Sequence, residues 1–519
     1  MKKFFVLAIS SVLLFGCAPG QREAELEGNV VVLDFAAAEQ EISEYIYGHF
    51  AEHLGRGIYE GIWVGPDSDI PNVNGFRTDV IEALQKLNIP VLRWPGGCFA
   101  DTYNWRNGIG PRDQRPTMVN TFWGGIVENN HFGTHEFFEL CELLGAEAYV
   151  NVNVGSGSVR EMIEWIEYMT ADGDGPMAKL RRANGQEEPW DVKFLGIGNE
   201  MWGCGGQMTP ETFSQIYRTY AHFARQYGGP EMIRIAAGGY GDHYNWNDVL
   251  LANAAPLMDG ISIHYYTIPT GDWGNKSAAT GFCDSLYFSS FRNAKLMETH
   301  VQRHIEILDT HDPDNRIGLY VAEWGIWTDQ EPGSVPGFLY QQNSMRDALI
   351  ASLHFDIFHK YAERIRGANI AQMVNVLQAM ILTDGPRMLL TPTYHVFNMY
   401  QVHQNATKIP LTIQSEPFTI NGESLPSITA TASIKDGIVN IGVSNIHATE
   451  AREVVIDVSG GNLSQVANAI ILTASAINSH NTFDNPNVVA PTEFAAYQLE
   501  GGKITITMPP HSIVKLKVN

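Results

Sequence analysis

The chain has 519 residues, of which 44% are hydrophobic and 18% charged, so it holds enough apolar material for more than one domain and is too apolar to stay disordered. Its formal net charge is -23 and no Lys/Arg block interrupts it, a balance that repels phosphate backbones and sets nucleic acid aside as a partner. Aromatic residues make up 11%, including 11 Trp and 20 Tyr, a supply that suits stacking on the flat faces of sugars as well as ordinary core packing.

The first residues read as a targeting signal. Lys2 and Lys3 form a positive start and Phe4 to Phe15 an apolar run, too short for the ~20 residues of a membrane-spanning helix. Leu14-Phe15-Gly16-Cys17-Ala18 is similar to a bacterial lipobox. The expectation is a signal peptide over 1–16 and a lipid anchor on Cys17, its only tie to a membrane. A polar tether over 17–28 then leads to an exported periplasmic or outer-membrane lipoprotein. Cys98, Cys141, Cys204 and Cys283 match neither a zinc pattern nor a CxxC pair, so mostly free thiols are expected, with Cys98 and Cys204 near a site. His131 and His135 share helical spacing but lack a third ligand nearby, so no metal site is legible. Nothing calls for a cofactor.

From Asn29 the chain alternates strand-like and helix-like stretches. Asn29 to Phe35 is a β-rich run, and the 29–39 segment is a candidate strand for the C-terminal domain. Tyr45 to Phe50 opens a series of buried strands. Thr78 to Leu87 has helical spacing and leads to Val91-Leu92-Arg93-Trp94. A helix over His131 to Leu144 precedes Ala148 to Gly155, and a helix over Ser158 to Met169 precedes Phe194-Leu195-Gly196-Ile197-Gly198-Asn199-Glu200. The Thr-Pro start of a helix over Thr209 to Tyr227 is a good N-terminal signal. Then follow Arg234 to Gly239, a helix over Asn247 to Ala254, and Gly260 to Tyr266. A long helix over Phe291 to Thr310 precedes Ile317 to Gly325, and one over Phe338 to Ala362 precedes a last strand at Gln372 to Leu377.

These strands are near-continuous apolar runs, as in parallel sheets covered on both faces. Eight strand-then-helix steps predict a (β/α)8 TIM barrel over 40–398. No Gly-x-Gly-x-x-Gly follows the first strand, which counts against a dinucleotide fold. Beyond Tyr400 helical spacing vanishes, and alternating segments such as Ser427 to Ser433 and Lys503 to Met508 predict an antiparallel β-sandwich over 399–519.

Catalytic groups of such a barrel sit at the C-terminal strand ends. Those ends carry Glu52, Arg93 with Cys98, Asn151 and Asn153, Asn199 with Glu200, His264 with Tyr266, Glu323, and Gln372 with Asn375. A single glutamate there is more often a loop salt-bridge partner. Two of them on strands four and seven, with Trp202 and Trp324 beside them, point to one site. Paired carboxylates serve glycoside hydrolysis, one protonated to release the leaving oxygen and the other ionised to attack carbon. A spacing of ~5 Å between them goes with retention and ~6.5–9.5 Å with inversion. Asn199 is placed to bond a sugar 2-hydroxyl and Tyr266 to hold Glu323 ionised. His264 is equally suited to orienting a neighbour and to touching substrate.

The ordered set Tyr47 to Arg56, Arg93 to Phe99, Tyr103-Asn104-Trp105, Gly198-Asn199-Glu200, His264-Tyr265-Tyr266, Glu323-Trp324 and Ala371 to Val376 resembles the α-L-arabinofuranosidases of glycoside hydrolase family 51. The resemblance implies Glu200 as acid/base and Glu323 as nucleophile of a retaining enzyme, with Glu52, Asn199, Tyr266 and Gln372 around the arabinofuranose. It implies an exo-acting enzyme trimming arabinan, arabinoxylan or their oligosaccharides, and a homo-oligomer, since relatives are commonly hexamers. The chain departs from many relatives by placing Cys98 where they have Asn. The alternatives are a related barrel glycosidase acting on xylosides or a β-glucan, and a surface glycan-binding lipoprotein without catalysis.

Overall fold

The structure is a computed structural model and describes residues 28–461 and 463–519. The expected signal, Cys17 and nearly all of the tether lie outside the described residues. Eight parallel strands close into a barrel in chain order: Gly48–Phe50, Val91–Trp94, Glu147–Val152, Phe194–Ile197, Ile233–Ala236, Gly260–Thr267, Gly318–Ile326 and Ile365–Ile370. The ring closes where Asn369 and Ile370 of the eighth strand pair with Gly48 and His49 of the first. Its N-terminal half is plugged by Val91, Tyr149, Phe194, Ile235 and Tyr320, so the interior is packed rather than a pore and the functional groups gather at the C-terminal mouth.

Two sheets follow. A five-stranded and a seven-stranded sheet face each other over a core that includes Val31, Ile441, Val454, Ile456, Ile506 and Leu516. Asn29–Leu33 sits inside the smaller sheet, antiparallel to Leu411–Gln414 and parallel to Arg452–Asp457. The sandwich is thus antiparallel except where a strand reaches it from ahead of the barrel. Glu41–Ile42 likewise pairs with Ala406–Lys408 in the larger sheet. The helix Met345–Lys360 bonds the two parts together: His359 Nδ1 is 2.8 Å from Thr431 Oγ1 in the sandwich, and its Nε2 is 2.8 Å from the Tyr47 hydroxyl beneath the barrel.

Several elements differ from the sequence reading, each for a local reason. The last barrel strand is Ile365–Ile370, and Gln372 to Leu377 is the loop after it. That loop is apolar because it is buried, while Asn375 and Leu377 take the left-handed conformation (φ 62° and 52°), which no strand allows. The first strand is shorter than expected, since Ser43 caps a 3-10 turn over Glu44–Tyr47. The helix expected from Phe338 begins at Met345, where Ser344 and Asp347 form a capping box. The long helix before the seventh strand is two helices, Asp284–Ala294 and Leu296–His311, joined at Lys295. His131 lies ahead of its expected helix, which runs Thr134–Leu144, and His135 Nε2 is taken up by the Tyr168 hydroxyl at 2.6 Å.

Candidate active site

Glu323 sits inside the seventh strand. A register shift at Ile263/His264 sets His264 of the sixth strand beside Glu323. Both point into the mouth, while Trp324, one residue on, points out and is fully buried against Phe355, Phe358 and Phe397. Strand alternation therefore removes Trp324 from the site. Glu323 Oε1 accepts from Arg93 Nη1 at 2.8 Å and Oε2 from the Tyr266 hydroxyl at 2.7 Å, with His264 Nδ1 3.5 Å from Oε2. Burial pushes this carboxyl up, but the His264 and Arg93 charges and the bonds from Arg93 and Tyr266 outweigh it and hold the group below the usual carboxylate range.

Glu200 is built differently. The fourth strand ends at Ile197, and Glu200 lies in the following turn at φ 44°. Its Oε1 is 2.9 Å from His264 Nδ1, so the histidine ring stands between the two glutamates. One oxygen of Glu200, one of Glu323 and a ring nitrogen of His264 all lie within 4.8 Å of one another.

Arg93 is the hub of the charged cluster. Besides Glu323 it donates from Nη2 to Asn199 Oδ1 at 2.6 Å, and its guanidinium lies over Phe50, 4.7 Å from the ring centre. With Oδ1 taken, Asn199 has its Nδ2 left, 3.9 Å from Cys204 Sγ. Glu52 is buried beside this cluster and accepts from Phe99 N–H at 2.9 Å, Trp123 Nε1 at 2.8 Å and Gln372 Nε2 at 3.1 Å. Burial, and then the nearby Glu323 charge, raise its carboxyl to about 7 against those donors. The close fit requires Gly96 and Gly97: a Cβ on Gly96 would lie 2.4 Å from Glu52 Cγ, and one on Gly97 2.9 Å from its carboxylate oxygens. Gln372 follows a cis peptide from Ala371, and its Oε1 is buried without a partner among the described residues.

The pocket over these groups is lined by Glu52, Cys98, Glu200, Tyr266, Glu323 and Gln372, with Trp123, Trp327, Leu54 and Leu339 as its apolar wall. Trp202 is not in that lining. Its Nε1 donates to Gly238 O at 3.1 Å, and its ring meets Tyr240 and His243. Asn151 and Asn153 bind loop groups, through Gly96 O at 3.0 Å and Tyr103 O at 3.1 Å. Asn375 is turned to Arg56 O and Thr383.

The expectation of free thiols at the site is corrected. Cys98 and Cys204 form a disulfide, Cα atoms 5.5 Å apart, while Cys141 is buried and free and Cys283 exposed and free. Barrel closure brings the loops after the second and fourth strands together, which a separation of 106 residues conceals in the sequence. Sequence reasoning also missed Trp123, on a loop between the short strands Met118–Val119 and Val127–Glu128. It missed Tyr240 too, whose hydroxyl exchanges two 3.2 Å bonds with the backbone of Tyr266. Neither lies at a barrel strand end or in the ordered motif set.

Two carboxylates meeting over one pocket at the C-terminal mouth of a (β/α)8 barrel define the site of a barrel glycoside hydrolase. Comparison with known proteins gives the family. The models for the alpha-L-arabinofuranosidase 1 domain and the alpha-L-arabinofuranosidase C-terminal domain match residues 83–281 and 322–512. The chain is 50% identical over 479 residues, 92% of this chain and 93% of the relative, to a protein of Bacteroides ovatus named an intracellular exo-alpha-L-arabinofuranosidase. The GH51 arabinofuranosidase of Xanthomonas axonopodis pv. citri superposes with a TM-score of 0.93 at 45% identity, covering 95% of this chain and all of that one. The α-L-arabinofuranosidase of Thermotoga maritima, solved with arabinose, gives 0.83 at 31% identity over 94% of this chain and 99% of its own. The chain belongs to the α-L-arabinofuranosidases of glycoside hydrolase family 51. The same relative corrects the expected export: it is named intracellular, which points against an exported, lipid-anchored protein.

Proposed function

We propose that this chain is a retaining, exo-acting α-L-arabinofuranosidase that releases terminal arabinofuranose from arabinan- or arabinoxylan-type glycans. The observation that carries the reading is the approach of the Glu200 and Glu323 oxygens to within 4.8 Å across one pocket, since retention goes with carboxylates ~5 Å apart and inversion with ~6.5–9.5 Å. Glu323, held ionised, attacks the anomeric carbon. Glu200 gives its proton to the departing oxygen, leaving an arabinosyl ester on Glu323 and a free aglycone. Glu200, now a carboxylate, takes a proton from water as that water attacks the same carbon. The ester bond breaks, Glu323 leaves as carboxylate, and arabinose departs with its configuration kept.

The remaining groups suit a sugar bound at that point. Gln372 Oε1 has no partner among the described residues and accepts a sugar hydroxyl. Asn199 Nδ2 donates to the 2-hydroxyl, a bond that strengthens as positive charge grows on the ring. Trp123, Trp327 and Leu339 wall the pocket, which supports removal of chain ends over cutting within a backbone. Proton NMR of the first sugar released from an aryl α-L-arabinofuranoside tests the mechanism: the α-anomer must appear first, and the β-anomer first would refute it. A panel of aryl glycosides separates arabinofuranosides from the xyloside and β-glucan alternatives, and digestion of arabinan and arabinoxylan identifies the polymer. The homo-oligomer implied by the family likeness is tested by light scattering on the purified chain.

A further inference from the structure

We infer that Asp101 is a positioning residue for the acid/base, acting through the backbone of Asn199 and Glu200; the inference rests on the assignment of Glu200 proposed above. Asp101 lies on the 3-10 turn Cys98–Thr102 after the second barrel strand and is 3% exposed. Its Oδ1 accepts from the amides of Val154 and Gly155, both at 2.8 Å, and its Oδ2 from the amide of Asn199 at 3.1 Å. One carboxylate thus gathers the loops after the third and fourth strands onto the loop after the second.

The need for such a group follows from where Glu200 stands. The fourth-strand ladder stops at Ile197, paired with Val152 and Ala236. Beyond it the Asn199 amide is buried and has no strand to bond, and such a group costs ~1–3 kcal/mol if left unmet. Gly198 and Glu200 both take positive φ, 83° and 44°, and a side chain at such an angle persists only where its surroundings enforce it. Asp101 supplies the acceptor between those two angles. Gly205 closes the joint from the other side, since a Cβ there would fall 2.0 Å from Asn199 O and 2.9 Å from Asp101 Oδ2. Asp101 itself is not among the residues that line the pocket, and its carbonyl oxygen accepts from Ser156 Oγ at 2.7 Å. Burial raises its carboxyl to about 7 against the pull of the three amides and of Arg93.

A residue that aims the acid/base has a signature that a merely structural one lacks. Asp101→Asn keeps the size but turns an NH2 group towards one of the amides, so the Glu200 turn relaxes. Loss of kcat/KM should be about 10-fold for 2,4-dinitrophenyl α-L-arabinofuranoside, whose leaving group needs no proton, and on the order of 10³-fold for an alkyl arabinofuranoside that does. Azide should speed the variant on the dinitrophenyl substrate and yield arabinosyl azide, as it should for Glu200→Ala. Gly205→Ala, which keeps the Asp101 carboxylate but pushes the same joint apart, should show the same steep dependence on the leaving group even if Asp101→Asn is too unstable to assay. Equal loss on both substrates with no gain from azide, while Glu200→Ala is rescued, overturns the inference. Absence of rescue in Glu200→Ala overturns the acid/base assignment and the inference with it.

Discussion

The positions of the two glutamates proposed for catalysis are built on opposite terms. Glu323 lies within a nine-residue strand, hydrogen-bonded on both sides, its side chain 6% exposed and gripped by Arg93 and Tyr266. Glu200 lies beyond the end of a four-residue strand, its side chain 16% exposed, in a turn held by neighbouring loops. A nucleophile must stay ionised and aimed at one carbon, and the donors and ladder bonds around Glu323 suit the role proposed for it. An acid/base must trade protons with an aglycone and then with water, and the more open loop position of Glu200 suits the role proposed for it. The barrel thus divides its labour between ladder and loop, and His264 touches both groups.

Removing each group tests that division. Glu323→Ala should lower kcat by roughly 10⁴-fold or more on every substrate, because no other group forms the ester. Single-turnover assays check this, and full activity would end the nucleophile assignment. Glu200→Ala should cost roughly 10²–10⁴-fold on substrates with poor leaving groups and far less on activated ones. Tyr266→Phe deletes one donor that holds the Glu323 carboxylate ionised and aimed, and should cost on the order of 10-fold to 10²-fold. It also carries a pH signature. Glu323 is held below the usual carboxylate range in part by the Tyr266 hydroxyl. Removing that bond raises its pKa, so the carboxylate is lost earlier on acidification and the acid limb of kcat/KM moves to higher pH. A profile unmoved on its acid side would show that the bond does not tune the nucleophile.

How much of this was readable in the sequence divides along the same line. The ladder side was legible: buried parallel strands are continuous apolar runs, and a glutamate ending one of them, as in Leu319-Tyr320-Val321-Ala322-Glu323, declares its position. The loop side was not. Asp101 and Trp123 stand in segments with no periodicity, and the loop from Gln372 to Leu377 imitates a strand because it is buried. Trp324 shows the converse error, since proximity in sequence to Glu323 places it on the opposite face of the same strand. The Cys98–Cys204 pairing depends on ring closure, and no local pattern carries it.

That pairing yields the mildest expected effect on the chemistry. The disulfide joins the turn that carries Asp101 to the loop that carries Glu200, and Cys204 Sγ lies 3.5 Å from Glu200 Oε2. The buried bond from the Asn199 amide to Asp101 holds the same two loops without it, and two more from Val154 and Gly155 fix Asp101 in place. Opening the bond in a Cys98→Ser/Cys204→Ser variant should therefore leave Glu200 aimed while loosening the unfolded chain. Stability should drop by about 2–4 kcal/mol, read from denaturant melts, and kcat should change by no more than a few-fold. A large fall in kcat confined to poor leaving groups would mean that the covalent tie, and not the hydrogen-bonded one, fixes the loop end of the comparison.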